Sequence, residues 1–164
     1  MSSTPPRRPR IAKARRKFYI VASQFNAQFV QGLADHARQE LRALAPDATI
    51  SLHRVPGAFE IPFGIKSYWD ANKYKDDRPH AFIALGCVLR GDTPHFEYVC
   101  RGVTEGITQL NLSLPVPVIF GILTVDNDQQ AQERIGGKHG HKGEEAAITA
   151  LKMISLAHSF KNHS

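Results

Sequence analysis

His95 is the side chain in this sequence best suited to moving protons, because of what precedes it. The segment Arg90-Gly91-Asp92-Thr93-Pro94 separates an apolar run over 81–88 from a helical pattern over 95–112. Gly91 allows a tight turn, Thr93 is a good N-cap, and Pro94 suits the first helical position, where its missing N–H costs nothing. A helix that begins straight after a buried strand aims amide N–H groups into the crevice at the carboxyl end of a sheet. Anions bind there, phosphate above all. Imidazole titrates near neutrality, and the positive end of the helix dipole favours its neutral, basic form. An anion cradle beside a proton carrier predicts chemistry on a phosphorylated small molecule. The alternative is a histidine that merely caps or packs.

Four more positions have two readings each. Arg90 and Arg134 are either phosphate partners or members of surface ion pairs, and Gly136-Gly137 after Arg134 would act as a hinge. Phe25, where the chain leaves its first strand, either stacks on a flat heterocycle or plugs the edge of the core. Glu60 either complements a helix start or accepts sugar hydroxyls, assisted by the Ala58 and Phe59 backbone. The loop holding Lys138, His139, His141 and Lys142 is basic, but His-x-His without cysteine or carboxylate ligands nearby is too weak a pattern for zinc. No Walker loop and no Gly-x-Gly-x-x-Gly occurs, so no nucleotide cofactor is expected. No serine sits on a strained elbow, which excludes a hydrolase triad.

The elements that must position these residues alternate along the chain. Apolar, β-branched or aromatic runs at 17–23, 81–88 and 117–123, and an alternating one at 49–55, read as strands. Helical spacing marks 27–44, 61–72, 95–112, 127–135 and 144–157, with a glycine-punctuated loop at 136–143. Strands that are continuously apolar are buried on both faces, which predicts an α/β three-layer sandwich around a four-stranded parallel sheet. Right-handed crossovers favour the flavodoxin-like strand order 2-1-3-4. The loops at 24–26, 56–60, 89–95 and 124–126 all follow strands, so they share the carboxyl edge of the sheet.

Composition bounds the rest. A chain of 164 residues supports one domain with a real core, expected over 17–158, between a basic tail at 1–16 and a short tail at 159–164. The net charge of +6 belongs to the first 17 residues, which hold seven cations and no acid and leave 14 basic against 15 acidic residues elsewhere. Such a tail either solubilises or binds nucleic acid by counterion release, and the first is the expectation. No apolar stretch approaches the length of a membrane span, and no apolar h-region follows the tail's charges before the first strand. Two cysteines, Cys87 and Cys100, make no disulfide framework and point to a reducing, cytoplasmic setting.

Four segments, in order and spacing, resemble the 6,7-dimethyl-8-ribityllumazine synthase family of riboflavin biosynthesis. They are Phe25-Asn26, Val55-Pro56-Gly57-Ala58-Phe59-Glu60-Ile61-Pro62, the stretch from Leu85 through Arg90-Gly91-Asp92-Thr93-Pro94-His95 to Val99, and the stretch from Pro117 through Arg134 to Lys142-Gly143. The resemblance covers about residues 17–158. It implies condensation of 5-amino-6-(D-ribitylamino)uracil with 3,4-dihydroxy-2-butanone 4-phosphate, releasing phosphate and water, without a cofactor. By position it implies Phe25 and Asn26 at the pyrimidine, and Ala58, Phe59 and Glu60 at the ribityl chain and ring edge. Cys87, Val88 and Leu89 would line the pocket. Gly91, Asp92, Thr93 and Arg134 would bind phosphate, and His95 would transfer protons. Phe120, Arg134 and Lys142 would come from a neighbouring subunit of a ring-shaped pentamer.

The resemblance leaves pentamers, pentamer pairs and icosahedral 60-mers as alternatives; the compact loop at 136–143 resembles that of the shell formers, and riboflavin synthase is an implied partner. Three positions depart from the family pattern. Gln24 stands where arginine is frequent, His141 where asparagine is frequent, and Asp92 puts a charge beside the expected phosphate. A non-catalytic flavin- or lumazine-binding protein would need neither His95 nor Arg134, and the presence of both favours the enzyme; a further alternative is a shell-forming protein whose basic tail binds nucleic acid.

Overall fold

The two faces of one parallel sheet are served by alternate residues of the same strands. The computed structural model describes residues 15–162. Strands β1 (Lys17–Ser23), β2 (Thr49–Val55), β3 (Ala81–Leu89) and β4 (Val118–Val125) pair in parallel in the order β2-β1-β3-β4, as predicted. Phe18, Ile20 and Ala22 of β1, with Ile83 and Leu85 of β3, face helices α1 (Ala27–Leu44) and α5 (Lys142–Lys161). Tyr19 and Val21, with Phe82 and Ala84, face helices α2 (Ile61–Asn72) and α3 (His95–Ser113). Central strands β1 and β3 are therefore buried almost throughout. The edge strands are not: Phe120 and Thr124 of β4 reach the surface.

Between β2 and α2, Ala58–Glu60 form a single 3₁₀ turn. Helix α4 is short, Asp128–Glu133, and the Asn127 side chain caps it by accepting from the Gln130 amide at 2.9 Å. All four strand-exit loops gather on the carboxyl edge of the sheet, so the fold delivers the candidate residues to one rim.

Three local expectations are corrected. The segment at 136–143 is not a plain loop: β5 (Ile135–Gly137) and β6 (Gly140–His141) pair as an antiparallel hairpin, with Gly136 and Gly140 at positive φ. Gly136-Gly137 is thus strand, not hinge. Helix α5 starts earlier and ends later than predicted, so residues 159–161, expected as tail, are helical. Nothing in Ser159-Phe160-Lys161 breaks the helix, and basic Lys161 in its last turn suits the negative end of the dipole. The basic tail expected at 1–16 lies outside the described residues up to residue 14. Arg16 is already tied in, its carbonyl accepting from the Thr49 amide at 2.8 Å.

Candidate active site

Two loops are laced together to build one wall of the site. The amides of Gln24 and Phe25 donate to the Pro56 carbonyl at 3.1 and 3.0 Å. Asn26 takes the left-handed conformation, φ 60°, which its short polar side chain tolerates. Its Nδ2 donates to the Cys87 carbonyl at 2.7 Å, pinning the β1–α1 turn to the end of β3. The Gly57 amide donates to Glu60 Oε2 at 2.9 Å. A side chain at Gly57 would come within 2.9 Å of both Glu60 Oε2 and the Phe25 ring. Glu60 thus serves its 3₁₀ turn with one oxygen and keeps Oε1 without a partner among the described residues. Phe25 is 68% exposed, so it does not plug the core.

The opposite wall is the β3–α3 corner. Helical hydrogen bonding begins with the Pro94 carbonyl accepting from the Glu97 amide at 3.0 Å. The N-cap is Pro94, one residue later than the Thr93 predicted, and no side chain caps the helix; Thr93 Oγ1 lies 3.4 Å from the His95 amide, at the edge of hydrogen-bond range. The amides of residues 91–93 have no backbone acceptor among the described residues. Gly91 corrects the turn argument: it is not at positive φ, and an added Cβ would meet nothing within 4 Å. Its bareness leaves the corner open, and the chain turns without needing it. His95 is exposed at the mouth of this corner.

Phe25, Asn26, Ala58, Phe59, Glu60, Cys87, Val88, Leu89, Gly91, Thr93 and His95 line one cleft of ≈ 620 Å³. Gly57, Phe96, Tyr98 and Val99 also line it, and the sequence reading missed them. Tyr98 and Val99 follow His95 by three and four residues on α3, so helical spacing was the available signal. Burial pushes the Cys87 thiol up to about 11, with the Asp128 charge adding, so Cys87 is a neutral wall and no nucleophile.

Arg90 is not available as an anion partner. Its Nε donates to Asp126 Oδ1 at 2.7 Å, its Nη1 lies 3.6 Å from Glu97 Oε1, and its guanidinium lies 4.4 Å from the Phe96 ring centroid. The hydrogen bond from Arg90 holds the Asp126 carboxyl below the usual carboxylate range. Ion pairing wins at this position.

Phe120, Arg134 and Lys142 line a different cleft of ≈ 590 Å³ against β4 and α5. Arg134 Nη1 donates to the Gln130 carbonyl at 2.9 Å, and Lys142 Nζ lies 2.8 Å from Glu145 Oε2. One chain therefore does not bring these three residues to His95. The carbonyl of Arg134 accepts from the Lys142 amide at 2.8 Å, which couples the two cations through the backbone.

A covered parallel α/β sheet with a small-molecule cleft at its carboxyl edge defines the class. Sequence comparison narrows it: the family model described as 6,7-dimethyl-8-ribityllumazine synthase matches residues 15–158. A protein of that name from Porphyromonas gingivalis is 49% identical over 139 residues, 84% of this chain and 83% of its own length. Another, from Bacteroides fragilis, is 46% identical over 145 residues, 87% of this chain and 97% of its own. A third, from Parabacteroides distasonis, is 46% identical over 140 residues, 84% of each chain. The chain belongs to the 6,7-dimethyl-8-ribityllumazine synthase family, a family of transferases in riboflavin biosynthesis.

Proposed function

We propose that this chain condenses 5-amino-6-(D-ribitylamino)uracil with 3,4-dihydroxy-2-butanone 4-phosphate to 6,7-dimethyl-8-ribityllumazine. The observation that carries the proposal is the first cleft, where an exposed aromatic, a half-free carboxylate, unpartnered amides and an exposed imidazole share one cavity. Phe25 stacks on the pyrimidine, Asn26 fixes the loop that carries it, and Glu60 accepts from the ribityl hydroxyls and ring edge. Gly91, Asp92 and Thr93 receive the phosphate on main-chain N–H groups. The Asp92 carboxylate must point away from that anion.

The 5-amino group attacks the ketone, and the carbinolamine loses water to give an imine. Loss of the proton at C3 then expels phosphate from C4 by β-elimination, and the enol left behind takes up a proton at C4 to become a second carbonyl. The resulting carbonyl is attacked by the ribitylamino nitrogen, and loss of a second water closes the ring. His95 takes and returns protons in these steps; positioning of the two substrates supplies most of the acceleration.

Phe120, Arg134 and Lys142 act from a second copy of the chain, which brings its second cleft against the first cleft of its neighbour. Support comes from their separation from His95 within one chain and from the surface position of Phe120 on an edge strand. Repeating that contact around a ring gives the pentamer, and twelve rings give the shell. Riboflavin synthase would consume the product. A cytoplasmic setting fits the two free cysteines, and no helix of the described residues is long and apolar enough to cross a membrane. The test mixes both substrates with the full chain and follows lumazine fluorescence and released phosphate together. Equimolar appearance of the two is expected; a rate no faster than the uncatalysed background would overturn the proposal.

A further inference from the structure

His141 sits at the joint that holds both cations of the second cleft, and it is the N-cap of α5. Its Nδ1 accepts from the Gly143 amide at 3.2 Å and the Glu144 amide at 3.4 Å. An accepting Nδ1 requires the neutral ring with its proton on Nε2, which is buried without a partner among the described residues. The ring stacks on His36 of α1, with centroids 3.8 Å apart and planes 22° from parallel. Next to it, a side chain at Gly143 would come within 2.3 Å of the Leu33 carbonyl oxygen, so α5 starts in direct contact with the backbone of α1. Lys142 lies between these two residues, its amide bound to the Arg134 carbonyl.

We infer that His141 is a positioning residue: its neutral imidazole clamps the start of α5, and protonating it frees Lys142 and Arg134 and weakens binding of the phosphate-bearing substrate. This rests on the function proposed above. Protonation turns Nδ1 from an acceptor into a donor that faces two other donors, so both capping bonds are lost together. The charged and titratable groups facing the ring are His36 from α1 and Glu144 and Glu145 from α5. The hairpin strands, Ile135–Gly137 and Gly140–His141, add no other charged side chain. Burial, then the neighbouring His36, hold the ring below its ordinary 6.5 despite the two glutamates. The sign follows: below about 6.5 the unfolded ring takes up a proton that the clamped ring resists, so the clamp weakens as pH falls and is intact above that value.

The experiment measures KM for 3,4-dihydroxy-2-butanone 4-phosphate from about pH 5 to about pH 8 for the full chain, His141→Asn and His141→Ala. An asparagine carbonyl caps without titrating. The phosphate itself titrates in this range, so the quantity read is the ratio of wild-type to His141→Asn KM at each pH, which cancels that effect. The ratio is expected to rise about fivefold between the alkaline and acid ends, the scale of one lost cap, while His141→Ala has a raised KM throughout. A ratio flat with pH would overturn the inference. Hydrogen exchange of the Gly143 and Glu144 amides separates this from failure of the proposed function. Acid should deprotect these amides in the wild type more than in His141→Asn even if no lumazine forms, and equal protection in the two proteins would overturn the clamp on its own.

Discussion

In the proposed reaction, His95 carries the smaller part of the rate and the larger part of the proton traffic. A positioned acid–base group contributes about 10²–10⁴-fold, and the cleft that orients the substrates survives its removal. His95→Ala is therefore expected to lower kcat within that range while leaving turnover above background; wild-type kcat in steady-state assays would contradict the role. At this scale the sequence was informative where local chemistry decides the outcome. Helix α3 opens at His95, within one residue of the start that Thr93-Pro94 signals. The sequence leaves two readings open where a distant partner decides. Arg90 is claimed by Asp126, 36 residues away, and no local pattern announces that bond. Gly91 reads as a turn residue because glycine often is one, yet its φ is not positive and an added Cβ would meet nothing within 4 Å.

Elements were legible in proportion to how much apolar surface they bury. β1 and β3 declare themselves because both faces are covered, and α1 because Phe29, Val30, Leu33, Ala37 and Leu41 recur on one buried stripe. The β5–β6 hairpin was missed because strands of three and two residues carry no periodicity, and its glycines read as loop. That hairpin sets the path from Arg134 to Lys142 and ends on the cap of α5. The contact of α5 with α1 at Gly143 is the element-scale constraint most open to test. Gly143→Ala must displace the Leu33 backbone, since no flexible side chain lies between. Overpacking of this kind costs about 1–3 kcal/mol, so the melting temperature should fall by several degrees at this chain length. An unchanged melting temperature by calorimetry would mean that the two helices do not seat on each other as described.

At the scale of the whole molecule, the described chain carries two clefts with divided inventories. One holds the aromatic, the carboxylate, the amide corner and the imidazole; the other holds Phe120, Arg134 and Lys142. Sequence spacing could not reveal that division: His95 opens α3 beyond β3, Arg134 follows α4 beyond β4, and only the fold shows that they line different clefts. Family resemblance supplied it, and the geometry gives it a physical form: neither cleft has the full set of groups that the proposed reaction uses. The most direct measurement co-refolds His95→Ala with Arg134→Ala in equal amounts and compares turnover with either variant alone. If each site takes one half from each of two subunits, random assembly regenerates intact sites at roughly a quarter of positions, and turnover should rise to about that share of wild type. Turnover no higher than the mean of the two separate variants would contradict a site shared between copies of this chain.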